Sequence, residues 1–147
     1  MDLFISAVLT LSSIGLFCYW FRYTCLLIFA AQTPHEHSEK VARTNRLSFP
    51  EVRFKLREHG GIDLERLHES LEQDFAIIAH LLEDTPATRF DTGLEDTMLK
   101  IHFRAMSACF RLTRRNLREF ASDALEEMSL VVIHLANQLG ERNADAY

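Results

Sequence analysis

Residues 3–31 form an apolar run with a single charged side chain, Arg22. An α-helix rises about 1.5 Å per residue, so a helix over this run would extend roughly 43 Å. The hydrocarbon core of a bilayer is about 30 Å thick, and a helix of about 20 apolar residues crosses it. The sequence therefore predicts a transmembrane anchor over residues 1–31.

Two other interpretations of this run are less favoured. A secretory signal peptide has basic residues before a short apolar core and small residues at its cleavage site. Here Asp2 precedes the run, and the residues before Cys18 and Cys25 lack the small-residue pattern of a lipoprotein cleavage site. A buried helix of a soluble protein would need cover on all sides, which the remaining chain could hardly supply. We therefore expect the run to stay in the mature chain.

Basic residues follow the apolar run, and none precedes it. Lys and Arg near the ends of a span are retained on the cytoplasmic side, whereas Asp and Glu have little influence. This asymmetry predicts a single-pass protein with its N-terminus outside and the rest of the chain in the cytoplasm. The residues that set it are Lys40, Arg43, Arg46, Arg53, Lys55 and Arg57.

Arg22 stands within an aromatic segment of the run. Aromatic residues are enriched where a span meets the headgroups, and an arginine there can extend its guanidinium into the interface. We favour this interfacial placement over the alternative, in which Arg22 stays at depth and pairs with another subunit. The residues expected to contact headgroups or a subunit are Tyr19, Trp20, Arg22 and Tyr23.

Small and weakly polar residues come just before the aromatic segment, at Ser12, Ser13, Gly15 and Cys18. Small side chains allow membrane helices to approach one another closely. We therefore expect this part of the span to pack on other intramembrane helices. The partners that follow from the span are membrane lipids and other subunits of a membrane complex.

The rest of the chain has the pattern of an all-α protein. We expect a polar linker or short helix over residues 32–47, a small cytoplasmic helical bundle over 48–140 and a disordered tail over 141–147. The bundle should have three main helices plus one or two short ones. Its helix starts are indicated by Asp63, a favoured N-cap residue, and by capping-box pairs, in which Ser, Thr or Asn is followed three residues later by Glu. These pairs are Thr33 with Glu36, Ser48 with Glu51, Thr92 with Glu95, and Asn116 with Glu119.

The three main helices are predicted from apolar residues at three- and four-residue steps. The first, over residues 63–82, has the clearest single stripe, and the second, over 94–112, has a wide apolar face. The third begins near Leu117 and ends at Gly140. No Gly or Pro separates the last two, but the apolar face shifts by something like 80° on a helical wheel between them. We favour a break near residues 114–117 over one continuous helix.

The formal net charge is −5, but residues 100–118 carry six basic and no acidic side chains. On a helical wheel Lys100, Arg104, Arg111 and Arg115 fall on nearly one side; they are called the basic stripe below. We expect this stripe to be neutralised mainly by acidic neighbouring helices. The functional alternative is an acidic protein partner or the anionic leaflet. We expect no nucleic acid, since the chain is acidic and no aromatic residues interleave the stripe.

No pattern of catalytic, metal-binding or phosphate-binding residues is recognisable. His68, His80, His102 and His134 stand alone on their helices, and the three cysteines form no closely spaced pair. We therefore expect no enzyme, no cofactor and no metal. The favoured function is a non-catalytic accessory, assembly or scaffold subunit of a larger membrane complex. The alternative is a membrane-tethered regulatory or sensory adaptor whose bundle recruits a soluble partner. Self-association through an uncovered apolar face of a long helix is also compatible with the sequence.

Overall fold

A computed structural model describes residues 1–30, 36–58, 63–85 and 92–145. These residues form six α-helices and no strand, which confirms the all-α prediction. The chain divides into two compact units, residues 1–32 and 33–147. The first unit holds α1 (Asp2–Ala30). The second holds two short helices and three long ones, as expected: α2 (Glu36–Asn45), α3 (Phe49–Arg57), α4 (Leu64–Asp84), α5 (Thr92–Thr113) and α6 (Arg118–Asp145).

The 29-residue helix α1 meets the length and composition requirements of a membrane span, which an N-terminal signal sequence also meets. Its large apolar side chains are exposed along most of its length. Two hydroxyl groups donate within the helix, from Thr10 Oγ1 to the carbonyl of Ser6 at 2.8 Å and from Thr24 Oγ1 to that of Trp20 at 2.9 Å. Such internal bonds satisfy hydroxyls that find no water partner in lipid.

Helix α6 is the centre of the second unit, because α2, α3, α4 and α5 all pack against it. Residues 131–139 are buried on every side of the helix, including the polar residues His134, Asn137 and Gln138. The apolar stripe that the sequence predicts is buried here, and the other sides of the helix are buried as well. A helix surrounded by others has no solvent-facing side, so its polar residues need partners within the protein.

The break between α5 and α6 lies where the sequence predicts it. Helix α5 ends at Thr113 and α6 begins at Arg118. The amides of Asn116 and Leu117 donate to the carbonyl of Thr113 at 3.1 and 2.8 Å, which closes the turn. The Leu117 carbonyl already accepts from Ala121 at 3.1 Å, so Leu117 occupies the N-cap position that the sequence assigns to Asn116.

Of the linker and the short helix expected over residues 32–47, the structure has a helix, α2, which packs on α6. The Ser38 amide donates to Asn137 Oδ1 at 2.7 Å in a buried contact. Helix α2 ends at Asn45, and the next residue, Arg46, has a left-handed φ of 54°. The next amide, of the buried Leu47, donates back to the carbonyl of Ala42 at 2.9 Å. This is the bond of a Schellman C-cap, completed by an apolar residue.

Gly140 does not end α6, which continues to Asp145, so residues 141–145 of the predicted tail are helical. Residues 146–147 lie outside the described part of the chain. Gly140 instead lies where α2 crosses α6, and a Cβ placed on it would come 2.7 Å from His37 Cβ. The glycine therefore permits a close helix crossing.

The predicted helix starts are correct only in part. Asp63 caps α4, since its carboxylate accepts from the amides of Glu65 and Arg66 at 3.2 and 3.3 Å. Ser48 makes no side-chain capping bond. Its backbone amide instead donates to Asp74 Oδ2 of α4 at 2.7 Å. Thr33 and the side chain of Thr92 lie outside what the structure describes.

The apolar face of α5 differs from the predicted one. The structure buries Leu99, Phe103 and Phe110. It exposes Leu94, Ile101 and Leu112, so it buries only part of the wide apolar face. The periodicity of α4, by contrast, predicts its buried side correctly. That side consists of Leu67, Leu71, Ile78 and Leu82.

Candidate functional site

The span residues that the sequence singles out all lie on α1, and every one of them is exposed. At about 100° per residue, Gly15, Cys18 and Arg22 fall within an arc of about 60°. Ser12 lies a further 60° or so away, and Ser13 lies on another side. A Cβ added at Gly15 would meet no atom within 4 Å. The helix therefore presents one small-residue side that ends in an arginine.

The basic stripe faces α4 only in part. Lys100 Nζ donates to Glu83 Oε1 at 3.1 Å, and Arg111 donates to Glu72 Oε1 at 2.8 Å. Arg114, in the turn that follows α5, pairs with Glu65 of α4. The numbers rise along α5 as they fall along α4, so these ion pairs join two antiparallel helices. Each of these exposed ion pairs contributes little stability, but together they favour one antiparallel register of α4 and α5.

Arg104 and Arg115 complete the stripe, and both side chains are exposed. Within the described residues neither has a carboxylate partner. The structure thus divides the stripe into two side chains that pair with α4 and two that face solvent. The solvent-facing pair is the part open to another molecule.

Large side chains fill the space between α4 and α5. Phe75 of α4 stacks on Phe103 of α5, with ring centroids 3.9 Å apart and ring planes at 4°. His68 stacks on Phe110 in the same way at 4.5 Å and 13°. These pairs carry the same antiparallel register as the ion pairs. The aromatic rings supply the apolar contact that holds the two helices together.

His68 belongs to a polar chain that the sequence did not indicate. Its Nε2 lies 2.9 Å from Ser107 Oγ, which in turn donates to Glu72 Oε1 at 2.7 Å. Because the hydroxyl hydrogen goes to Glu72, the proton between His68 and Ser107 must come from His68 Nε2. Burial lowers the pKa of His68, and the Glu72 carboxylate only partly opposes this. The histidine is therefore a neutral donor in the core.

Glu72 accepts from both Ser107 and Arg111. Burial alone would raise its pKa. The Ser107 hydroxyl and the Arg111 guanidinium both donate to the carboxylate and oppose burial, and the pKa of Glu72 lies below its usual value. The carboxylate is thus held in its ionised form at the edge of the bundle.

Two further histidines face carboxylates across helix pairs. His134 Nε2 lies 3.0 Å from Glu95 Oε1, and His102 Nε2 lies 3.1 Å from Glu127 Oε2. Both imidazoles are buried, and burial lowers the pKa of His134 against the opposing effect of Glu95. In sequence these histidines stand alone, since each partner lies on a different helix. A histidine opposite a carboxylate does not stand out without the fold.

A cleft of about 340 Å³ opens between the start of α4 and the α5–α6 turn. Its charged side chains are mixed in sign, and several are engaged within the chain. Asp63 caps α4 and Glu65 pairs with Arg114. The charged residues that line it are Asp63, Glu65, Arg114, Arg115 and Arg118. This arrangement stabilises the end of the bundle and shows no paired acid and base of a catalytic site.

Comparison with protein-family models, curated proteins and solved structures finds no match for this chain. In the part of the chain that the structure describes, no three His, Cys, Asp or Glu side chains converge as metal ligands. Among the described residues, the small-residue side of α1 and the solvent-facing Arg104 and Arg115 are open to another molecule.

Proposed function

We propose that this protein is a non-catalytic, single-pass membrane subunit that helps to assemble or scaffold a larger membrane complex. The observation that carries the proposal is α1, a long helix whose apolar side chains are exposed and whose hydroxyls bond within the helix. In water such a surface is unfavourable at about 25 cal/mol per Å² of apolar area. Lipid and neighbouring membrane helices remove that penalty.

The basic residues after the span orient the protein with its N-terminus outside and the bundle in the cytoplasm. Within the membrane, the side of α1 that carries Gly15, Cys18 and Arg22 contacts another subunit. Arg22, with the aromatic residues beside it, lies at the headgroup level, where its guanidinium remains solvated. The bundle then serves as a rigid cytoplasmic part of the assembly.

The test is native sizing after extraction in a mild detergent. We expect the protein to migrate with other chains, and Gly15→Leu to release it, because a large side chain blocks close helix contact. Gly15 has no neighbour within 4 Å in the chain itself, so the substitution leaves the isolated protein undisturbed. Ser6→Leu is the matched control, since nine residues place it about 180° away on the helix. Migration as a single chain, under conditions that keep neighbouring complexes intact, would contradict the proposal.

A second candidate function is a membrane-tethered adaptor that recruits a soluble partner. The observation that favours it is the exposure of Arg104 and Arg115 on the bundle surface. Reversing these two charges should abolish recruitment and leave membrane assembly intact, whereas Gly15→Leu should do the opposite. Lys100 and Arg111 are unsuitable for this test, because their reversal would also break the ion pairs with α4.

A further inference from the structure

Helix α5 presents a second apolar surface, directed away from the bundle. Leu94 is 77% exposed, Ile101 53% and Leu112 82%. Ala105 and Ala108 between them are exposed as well, and Met98 is half-buried. We call these six residues, Leu94, Met98, Ile101, Ala105, Ala108 and Leu112, the outer seam. Exposed leucines and isoleucines that form one continuous row indicate a contact surface more than scattered ones do.

The spacing of the outer seam is that of a coiled coil. Its residues alternate steps of four and three, which is the 3.5-residue repeat of helices that cross at about 20°. At about 100° per residue they fall within an arc of roughly 80°, and over roughly 27 Å of helix. Large side chains stand at both ends of the seam and alanines in the middle, where an opposing helix can approach closely. The surface therefore fits a helix rather than an extended segment.

Charge distinguishes the two edges of the seam. Arg104 lies about 40° beyond one edge on the helical wheel and is exposed, with no carboxylate partner among the described residues. Arg111 lies about 60° beyond the same edge but pairs with Glu72 of α4. At the other edge, Glu95 and His102 are turned toward α6, where they face His134 and Glu127. One edge thus offers positive charge to a partner. The charged groups of the other edge are engaged inside the bundle.

This asymmetry disfavours a second copy of the chain as the occupant. An antiparallel copy would set Arg104 and Arg111 opposite the same two arginines. A parallel copy would set them against the edge that already packs on α6. An acidic helix, by contrast, places carboxylates opposite the arginines while its apolar stripe covers the seam.

We propose that the outer seam binds an amphipathic helix of a partner protein whose apolar stripe is flanked by Asp or Glu. The inference deepens the adaptor function and rests on it. A single helix over roughly 27 Å covers less than the standard interface of about 800 Å² per partner, so the contact is a transient one. The membrane anchor would raise the local concentration of such a site for partners held at the same membrane.

The experiment uses the full chain in nanodiscs of zwitterionic lipid and two labelled helical peptides. Both peptides carry leucine and isoleucine on a 3.5-residue repeat; one has Glu at the flanking positions and the other Lys. Fluorescence anisotropy should show at least tenfold tighter binding of the acidic peptide, weakening as salt is added. Empty nanodiscs measure binding of either peptide to lipid.

Ile101→Asp should lower the affinity for the acidic peptide at least tenfold. Leu112→Ser should have the same effect without adding a charge to the surface. Arg104→Glu should remove most of the preference for the acidic peptide, because Arg104 is the arginine beside the seam that has no carboxylate partner in the described part of the chain. All of these side chains are exposed, so the bundle tolerates their replacement. Circular dichroism at 222 nm verifies the fold of each variant.

Equal binding of both peptides, or binding no stronger than to empty nanodiscs, would overturn the inference. So would a stable homodimer that Ile101→Asp converts to a monomer, because the occupant would then be a second copy. These outcomes concern α5 alone. Native sizing of the Gly15 variants tests the membrane subunit function independently.

Discussion

Removal of the Asp74 carboxylate is predicted to destabilise the bundle through a helix 26 residues earlier in the chain. Asp74 is buried on α4, and its Oδ2 accepts from the Ser48 amide at 2.7 Å. Burial raises the pKa of Asp74, and the Ser48 and Phe49 amides oppose this by stabilising the ionised carboxylate. Asp74 therefore satisfies the N-cap amide of α3 from a different helix, which is the role that the Glu51 side chain has in the predicted capping box.

The magnitude follows from the Ser48 amide, which would lose its acceptor. Loss of an N-cap costs about 0.5–2 kcal/mol, and a buried donor left unpaired costs about 1–3 kcal/mol. An opposing effect is that burial raises the pKa of Asp74, so its ionised form is itself disfavoured in the fold. We expect Asp74→Ala to lower the free energy of unfolding by about 2 kcal/mol, or Tm by roughly 8 °C for a domain of this size.

Two variants make the assay specific. Asp74→Asn keeps an acceptor oxygen without the buried charge, so it should lose less than about 1 kcal/mol. Ser48→Ala should stay within about 0.5 kcal/mol of wild type, because that hydroxyl caps nothing. Thermal unfolding of the full chain in detergent micelles, followed at 222 nm, measures all three. A destabilised Ser48→Ala beside an unaffected Asp74→Ala would refute the reasoning and restore the local capping box.

Three further predictions concern α6 and its neighbours. Gly140→Ala should destabilise the bundle by about 1–3 kcal/mol, because the added methyl group overpacks the crossing with α2. Gly93→Ala has open space around it, so it should be neutral or slightly stabilising in the same thermal melts. Arg142→Ala should lower the free energy of unfolding, measured with denaturant, by about 2 kcal/mol, because Arg142 pairs with Asp96 at 2.9 Å and the two side chains are only 10% and 17% exposed. Arg43→Ala, which removes an exposed ion pair, should change the free energy of unfolding by less than about 0.5 kcal/mol. Because burial lowers the pKa of His134, the unfolded chain binds more protons than the folded chain below about pH 6.5. The free energy of unfolding should therefore decrease as the pH is lowered through this range. In His134→Gln, a plot of the free energy of unfolding against pH should have a shallower slope.

The difference between Asp63 and Ser48 shows where sequence reasoning succeeds. Asp63 caps amides two and three residues away, and nothing in the fold competes with it. The amide of Ser48 meets a carboxylate from another helix, and no local pattern contains that partner. Capping rules thus hold where the contact is local and give way where a tertiary partner is available.

The burial of α6 on every side has a sequence signal that differs from an apolar stripe. Residues 131–139 contain no charged side chain on any side of α6. That absence is typical of a helix covered all round, whereas a stripe alone suggests one buried side. The partner of His134, however, depends on the packing of α5 against α6. No spacing within either helix predicts it.

Helix α5 shows the opposite problem, because it has two apolar sides. Periodicity shows that both exist but does not say which one the bundle covers. The aromatic residues Phe103 and Phe110 turn inward, where stacking on α4 buries more area. Leu94 and Leu112 are left outside. The interaction surface could therefore be located only with the fold.

The central claim is that the apolar helix α1 remains on the mature chain and holds the bundle at a membrane. Intact mass spectrometry of the protein from alkali-washed native membranes tests it most directly. We predict that the chain stays in the membrane fraction and that its mass includes residues 1–31. A chain that begins after residue 31 and leaves the membrane on washing would contradict the account.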